Sequence, residues 1–301
     1  MYQNLIYFHN HRDFNVIVLQ SDRERKEENT ILKKNIKCYY FKPMKILGNN
    51  FIPSLDFNPF FISKVIKIIK KHRIDLIHVD FCFGINILRF ITKIPISYNA
   101  YNVEGIYWKE IAKNYYKIPI FLRSLYAHFI YLLEKYAIKL VKNINAFSYD
   151  DKKKFIEIYN IPEEKIFVNN MGYKKEIFNN PIKQEKAREK LKVDKNKFIV
   201  IFHGSYYINF PNREAIKIIK EQISPRIKDN EILFLIAGEK PPFKNKKNLK
   251  FLGFLDDLRY LLYAADIAIV PIFRGSGVRI KMIDYLSAKL PMISTEQAKL
   301  G

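Results

Sequence analysis

The chain has 301 residues, enough for two α/β domains with buried cores. Its 49% hydrophobic and 27% charged residues exclude a disordered chain, and two cysteines, Cys38 and Cys82, exclude a disulfide framework and a cysteine metal site. The net charge of +22 is spread in doublets and triplets such as Lys152–Lys154, with no long basic arm. It is therefore read as diffuse bias with no nucleic-acid partner, and a peripheral contact with anionic lipid stays open.

Short β-rich runs alternate with helical patterns, the signature of parallel α/β layers. Residues 14–19 form a short apolar run, expected to be a strand. Residues 62–71 carry Ile62, Val65, Ile66, Ile68 and Ile69 at helical spacing. Residues 76–79 read as a buried strand with His78 in its core, and 95–98 as the next strand. A long amphipathic stretch covers 119–141, with a core helix favoured over one lying on a membrane. Short strands are expected at 145–148 and 166–168.

Residues 179–197 turn polar and charged, and the domain boundary is placed there, giving domains 1–182 and 198–301. A second series then begins with a strand at 198–202 that ends in His203, Gly204 and Ser205. Asn209 and Pro211 open a helix. Strands follow at 232–237 and 249–252, then a helix at 258–265 that Asp256 and Asp257 can cap, and a strand at 267–272. A helix at 280–288 and a strand at 292–294 close the series. Residue 1 already reads as helix, so the opening strand and glycine turn of the first domain are expected to be missing, as is a closing C-terminal helix. No run reaches the ~18 apolar residues of a membrane span, and no signal peptide is read, so a cytoplasmic protein, soluble or peripheral, is expected.

The chemistry concentrates in residues 271–295, where a buried strand leads into Gly275, Ser276 and Gly277 and then a helix. Amides at a glycine turn and a helix N-terminus form an anion site. Arg279 and Lys281 add positive charge where the helix dipole disfavours cations, which makes sense if an anion binds there. Asp284, three residues beyond Lys281, can accept hydrogen bonds from ribose hydroxyls.

With these residues in order, Gly204-Ser205, Pro211-Asn212, Ala237-Gly238, Phe251 to Phe254, Ala265-Asp266, Pro271, Gly275 to Lys281 and Pro291, the second half resembles the donor-binding domain of family 4 (group 1) retaining glycosyltransferases. Upstream, Asn102-Val103-Glu104, Glu134 to Tyr136, Ser148 with Asp151, and residues 161–172 resemble the family's acceptor-side segments. The resemblance implies the GT-B fold, α/β with two Rossmann-like domains facing a cleft. It implies transfer of a sugar from a nucleotide-diphosphate sugar to a glycan, lipid or protein acceptor, with retention. It places Asp284 at the ribose, with Gly204, Ser205, Gly275, Ser276 and Gly277 completing the nucleotide-sugar site. Tyr101, Glu104, Arg279 and Lys281 fall among the catalytic residues. Tyr101 stands where the family has histidine, and Ser276 where many members have a second carboxylate. No metal or other cofactor is expected, because Arg279 and Lys281 can neutralise the diphosphate. A truncated, inactive remnant or a non-enzymatic nucleotide-binding module of the same fold is the competing expectation.

Overall fold

The computed structural model describes residues 14–22, 36–46, 49–50, 52–112, 119–207, 209–239, 241–275 and 277–299. The helix expected at residue 1 lies outside them. Strand β1 (Ile17–Ser21) pairs in parallel with β2 (Lys37–Phe41), and β3 (Lys45–Ile46) pairs antiparallel with β4 (Asn49–Asn50). Helix α1 (Pro59–Lys71) starts where Asn58 Oδ1 accepts the amides of Phe60 and Phe61, at 2.9 and 3.2 Å. That side chain satisfies donors that have no intrahelical partner, and Pro59 has none to satisfy. Phe61, Val65 and Ile68 turn one face of α1 inward, as their spacing requires.

Strand β5 (Ile77–Asp80), helix α2 (Ile85–Ile91) and strand β6 (Ile96–Ala100) follow, with β5 and β6 parallel. Next come α3 (Glu104–Ala112), α4 (Arg123–Leu140), β7 (Asn143–Ala146), α5 (Tyr149–Tyr159) and β8 (Ile166–Val168). Among the described residues the strand order is β5-β6-β7-β8, with β5 outermost. The expectation of a core His78 is therefore corrected: its side chain is 42% exposed and lies 3.9 Å from Asp80. An outermost strand exposes side chains that a central strand such as β6, buried throughout, does not.

Helices α6 (Lys175–Phe178) and α7 (Gln184–Lys190) precede the second series. The polar stretch 183–197 thus contains a packed helix. Arg188, 6% exposed, donates to the carbonyls of Ala264 and Lys195 and pairs with Asp266 at 2.7 Å. Asp266 also accepts the Ile199 amide at 2.6 Å, so one ion pair fixes α7 to the sheet.

Strands β9 (Phe198–His203), β10 (Ile232–Ala237), β11 (Leu249–Gly253), β12 (Ile267–Val270) and β13 (Met292–Ser294) form a parallel sheet in the order β11-β10-β9-β12-β13. Between them run α8 (Phe210–Ile218), α9 (Arg259–Ala264) and α10 (Ile280–Ser287), and α11 (Glu296–Lys299) ends the described chain. Asn209 Oδ1 accepts the Asn212 amide at 3.1 Å and opens α8 as its sequence predicts. The chain builds outward from β9 to β11, then returns to lay β12 on the other flank of β9. This is the strand order of a doubly wound sheet, and ligands bind such sheets outside the carboxyl ends of the strands where the order reverses. Ile199, Ile201, Leu235, Ala268 and Val270 are fully buried at its centre.

The chain divides into two compact units, residues 1–99 with 130–144, and residues 100–129 with 145–301. Every described site residue predicted from sequence lies in the second.

Candidate functional site

The reversal between β9 and β12 brings two turns together. Gly204 follows β9, and the glycine loop follows β12. A Cβ on Gly204 would fall 2.7 Å from Asn212 Nδ2 and 3.0 Å from Lys281 Nζ, so its absence lets the turn after β9 pack against the first turns of α8 and α10. In the loop, Gly275 and Gly277 have φ of +107° and +79°, values that L side chains rarely adopt. A Cβ on Gly277 would overlap Asn102 Oδ1 and the carbonyl oxygen of Tyr101. Ser276, between them, lies outside the described residues.

The loop amide of Gly275 already holds an anion: it donates to Glu110 Oε2 of α3 at 2.8 Å. Beside it Arg279 is half-buried, immediately ahead of α10, and its Nη2 is 3.1 Å from where a Gly275 Cβ would lie. Burial lowers the Arg279 pKa, while Tyr107, Glu110 and Asp151 favour its charge.

Lys281 is 8% exposed. Its Nζ donates to Asn212 Oδ1 at 2.6 Å and sits 3.8 Å over the Phe202 ring. Burial, reinforced by Arg279, pulls its pKa well below the usual lysine range, and Asp284 opposes the shift. A second negative charge at this point would stabilise both cations.

Asp284, 2% exposed, faces the same interior from the next turn of α10. Lys174 Nζ lies 2.6 Å from one carboxylate oxygen and His203 Nε2 lies 3.4 Å from the other. Burial raises the Asp284 pKa and the Lys174 contact lowers it. The Lys174 amide also donates to Ser287 Oγ at 2.9 Å, so this residue grips α10 twice. Lys174 and His203 stand beside the two oxygens that a ribose hydroxyl would approach. His203 stays neutral: burial, then Lys281 and Lys174, depress its pKa to about 3.

The remaining predicted residues take quieter positions. Ser205 Oγ donates to Glu239 Oε2 at 2.6 Å, and the Tyr207 amide donates to the same oxygen at 3.1 Å, tying the turn after β9 to the turn after β10. The Tyr101 ring stacks on Phe147 with centroids 5.0 Å apart, and its main chain abuts Gly277. Glu104, 3% exposed, accepts from Asn102 Nδ2 at 3.2 Å and Trp108 Nε1 at 3.1 Å. It fastens the first turn of α3, where a carboxylate also suits the helix dipole. Among the described residues, no three His, Cys, Asp or Glu side chains group as a metal site requires.

The structure thus joins Gly204, Gly275, Gly277, Arg279, Lys281 and Asp284 at one reversal of the sheet. Sequence reasoning missed Glu110, Lys174 and the hydrogen bond of Asn212. Glu110 and Lys174 lie more than a hundred residues before the groups they touch, and no local pattern marks such a pairing.

Residues 4–174 match the model of Glycosyltransferase Family 4, and residues 197–300 match that of Glycosyl transferases group 1. No curated protein matches the sequence. Among solved structures, sucrose-phosphate synthase from Thermosynechococcus elongatus superposes with a TM-score of 0.66 at 13% identity, covering 86% of this chain and 66% of that one. HepE from Anabaena, solved in complex with UDP-glucose, gives 0.61 at 16% identity, covering 93% and 80%. A glycosyltransferase from Rickettsia africae gives 0.57 at 18%, covering 94% and 79%. The chain therefore spans between about two thirds and four fifths of these relatives' lengths. At such identities the likeness concerns the fold, which is the two-domain Rossmann-like GT-B architecture. With more than half of its length matched by one family model, the chain belongs to Glycosyltransferase Family 4.

Proposed function

We propose that the protein transfers a sugar from a nucleotide-diphosphate sugar to a glycan, lipid or protein acceptor, with retention of anomeric configuration. Residues 1–182 serve the acceptor side and 198–301 the donor side. One observation carries the reading: the glycine loop and Lys281 stand at the strand-order reversal, with a carboxylate already hydrogen-bonded to a loop amide. A diphosphate offers the same kind of acceptor oxygen with more charge.

In this reading Gly275 and Gly277 let the backbone approach the phosphates, with Ser276 between them, while Arg279 and Lys281 take up negative charge as the sugar–phosphate bond breaks. Preorganised charge of this kind is usually the largest catalytic contribution, and it requires no metal. Gly204, whose missing side chain lets Asn212 and Lys281 pack against its turn, lines the donor site, and Ser205 holds the adjoining turn. Asp284 receives the ribose hydroxyls in place of Lys174 or His203. Tyr101 and Glu104 shape the floor below Gly277. HepE binds UDP-glucose, so uridine nucleotides are the first ligands to test.

Calorimetric titration with UDP and UDP-glucose tests the proposal. Saturable binding that Lys281→Ala weakens supports it, and no binding by either ligand rejects it. The contact between Gly275 and Glu110 also favours a second reading, a module that binds nucleotide without turnover. Binding of UDP-glucose with neither hydrolysis nor transfer would select that one.

A further inference from the structure

We infer that the groove between the end of β2 and the first turns of α1 is a binding site for a phosphate or diphosphate group. It is lined by Phe41, Lys42, Phe60, Ser63, Lys64 and Lys67. Its two sides are fixed to each other. Asn58, fully buried, accepts the first amides of α1 through Oδ1 and donates through Nδ2 to the Lys42 carbonyl at 3.0 Å. Beneath, the rings of Phe41 and Phe61 pack edge-on with centroids 5.3 Å apart. The groove is therefore preformed, at the carboxyl end of a parallel strand, where open α/β sheets bind ligands. Its volume of about 270 Å³ falls below the roughly 300–1,000 Å³ that encloses a drug-sized ligand. It suits one compact group of a larger molecule.

The charges that line it have one sign. Lys64 and Lys67 are neighbours on one face of α1, three residues apart, and Lys42 meets them from the end of β2. Neither β2 nor α1 carries an acid. Asp56, the acid just before α1, accepts the Gly84 and Ile87 amides at 3.0 and 3.2 Å. Among the described residues none of the three lysines enters an ion pair. Gathered cations disfavour one another's charge, and a phosphate, which lysine binds as a point charge, removes that penalty. The groove along α8 shows the contrast: Arg213, Glu214, Lys217 and Glu221 line it, and their charges cancel. Phe60, 54% exposed, offers an apolar surface to whatever carries the phosphate. Within the proposed transferase reading the group belongs to the acceptor, because residues 1–182 serve that side. The binding itself is independent, since the groove lies in the first compact unit and the glycine loop in the second.

The test is lysine acetylation of the full chain, read by mass spectrometry, with inorganic pyrophosphate, glucose 1-phosphate, or vesicles carrying phosphatidic acid. Pyrophosphate should protect Lys42, Lys64 and Lys67 at least five-fold more than Lys93, which is exposed elsewhere in the same unit. Stronger protection by glucose 1-phosphate assigns the group to a soluble acceptor, and stronger protection by vesicles to a lipid. Lys64→Glu with Lys67→Glu should weaken pyrophosphate binding, read at Lys42, at least ten-fold. Protection spread evenly over exposed lysines, or unchanged binding at Lys42 in the double variant, overturns the proposal. UDP binding without protection of the three lysines sinks this site and leaves the transferase reading standing. Protection without UDP binding does the reverse.

Discussion

Replacing Glu110 by alanine removes the carboxylate that holds the Gly275 amide at 2.8 Å. A nucleotide that uses this amide must first break that contact, so its apparent affinity carries the cost. A hydrogen bond with one ionised partner contributes about 1.5–3 kcal/mol, and Glu110 is half-buried, so the low end applies. At about 1.5 kcal/mol the amide is open in roughly a tenth of molecules, which weakens binding by the same factor. Glu110→Ala should therefore bind UDP about ten-fold more tightly in calorimetry. Glu110→Gln, which keeps an uncharged acceptor, should fall between it and wild type. Unchanged or weaker UDP binding by Glu110→Ala would refute the reasoning. Weaker binding of UDP-glucose alone would instead assign Glu110 to the sugar.

Three further outcomes follow from the same geometry. Arg279→Ala and Lys281→Ala should each weaken UDP binding by roughly ten-fold or more, as expected when a charge-assisted contact is lost, and unchanged affinity in both would remove the charge site. His203 has a pKa of about 3 in the fold against 6.5 for the free side chain, so the native state binds fewer protons than the unfolded state between those values. Stability contributed by neutral His203 is thus lost as pH falls below about 6.5, by roughly 1.4 kcal/mol per pH unit. The raised pKa of Asp284 acts in the opposite direction, so the measurement is the difference between wild type and His203→Gln in melting temperature from pH 7 to 5. Parallel profiles would contradict the assignment. Arg188→Ala leaves Asp266 without its guanidinium partner and should cost about 3–5 kcal/mol in urea unfolding, whereas a loss near zero would show the pair to be dispensable.

Much of the second sheet was legible in the sequence, because parallel strands buried on both faces read as apolar runs such as 198–202 and 232–237. Pro211 and Asn209 announced α8, and Gly275 and Gly277 announced the loop. His78 misled because an outermost strand and a central strand share one local pattern, and only the pairing order separates them. The segment around Arg188 was placed at the domain boundary since its helix is polar on most faces and buries chiefly Ala187 and the Arg188 guanidinium. Gly275, Arg279, Lys281 and Asp284 were found because they crowd into ten residues. The carboxylate on Gly275 and the ammonium on Asp284 were not, because α3 and the segment before α6 reach the site only through the tertiary fold.

The central claim is that a diphosphate binds at the sheet reversal between β9 and β12. A crystal structure of the protein grown with UDP tests it most directly. The expected result is phosphate oxygens accepting from the Gly275 amide and the Lys281 ammonium, with Glu110 displaced. UDP bound elsewhere while Glu110 keeps its hold on Gly275 would contradict it.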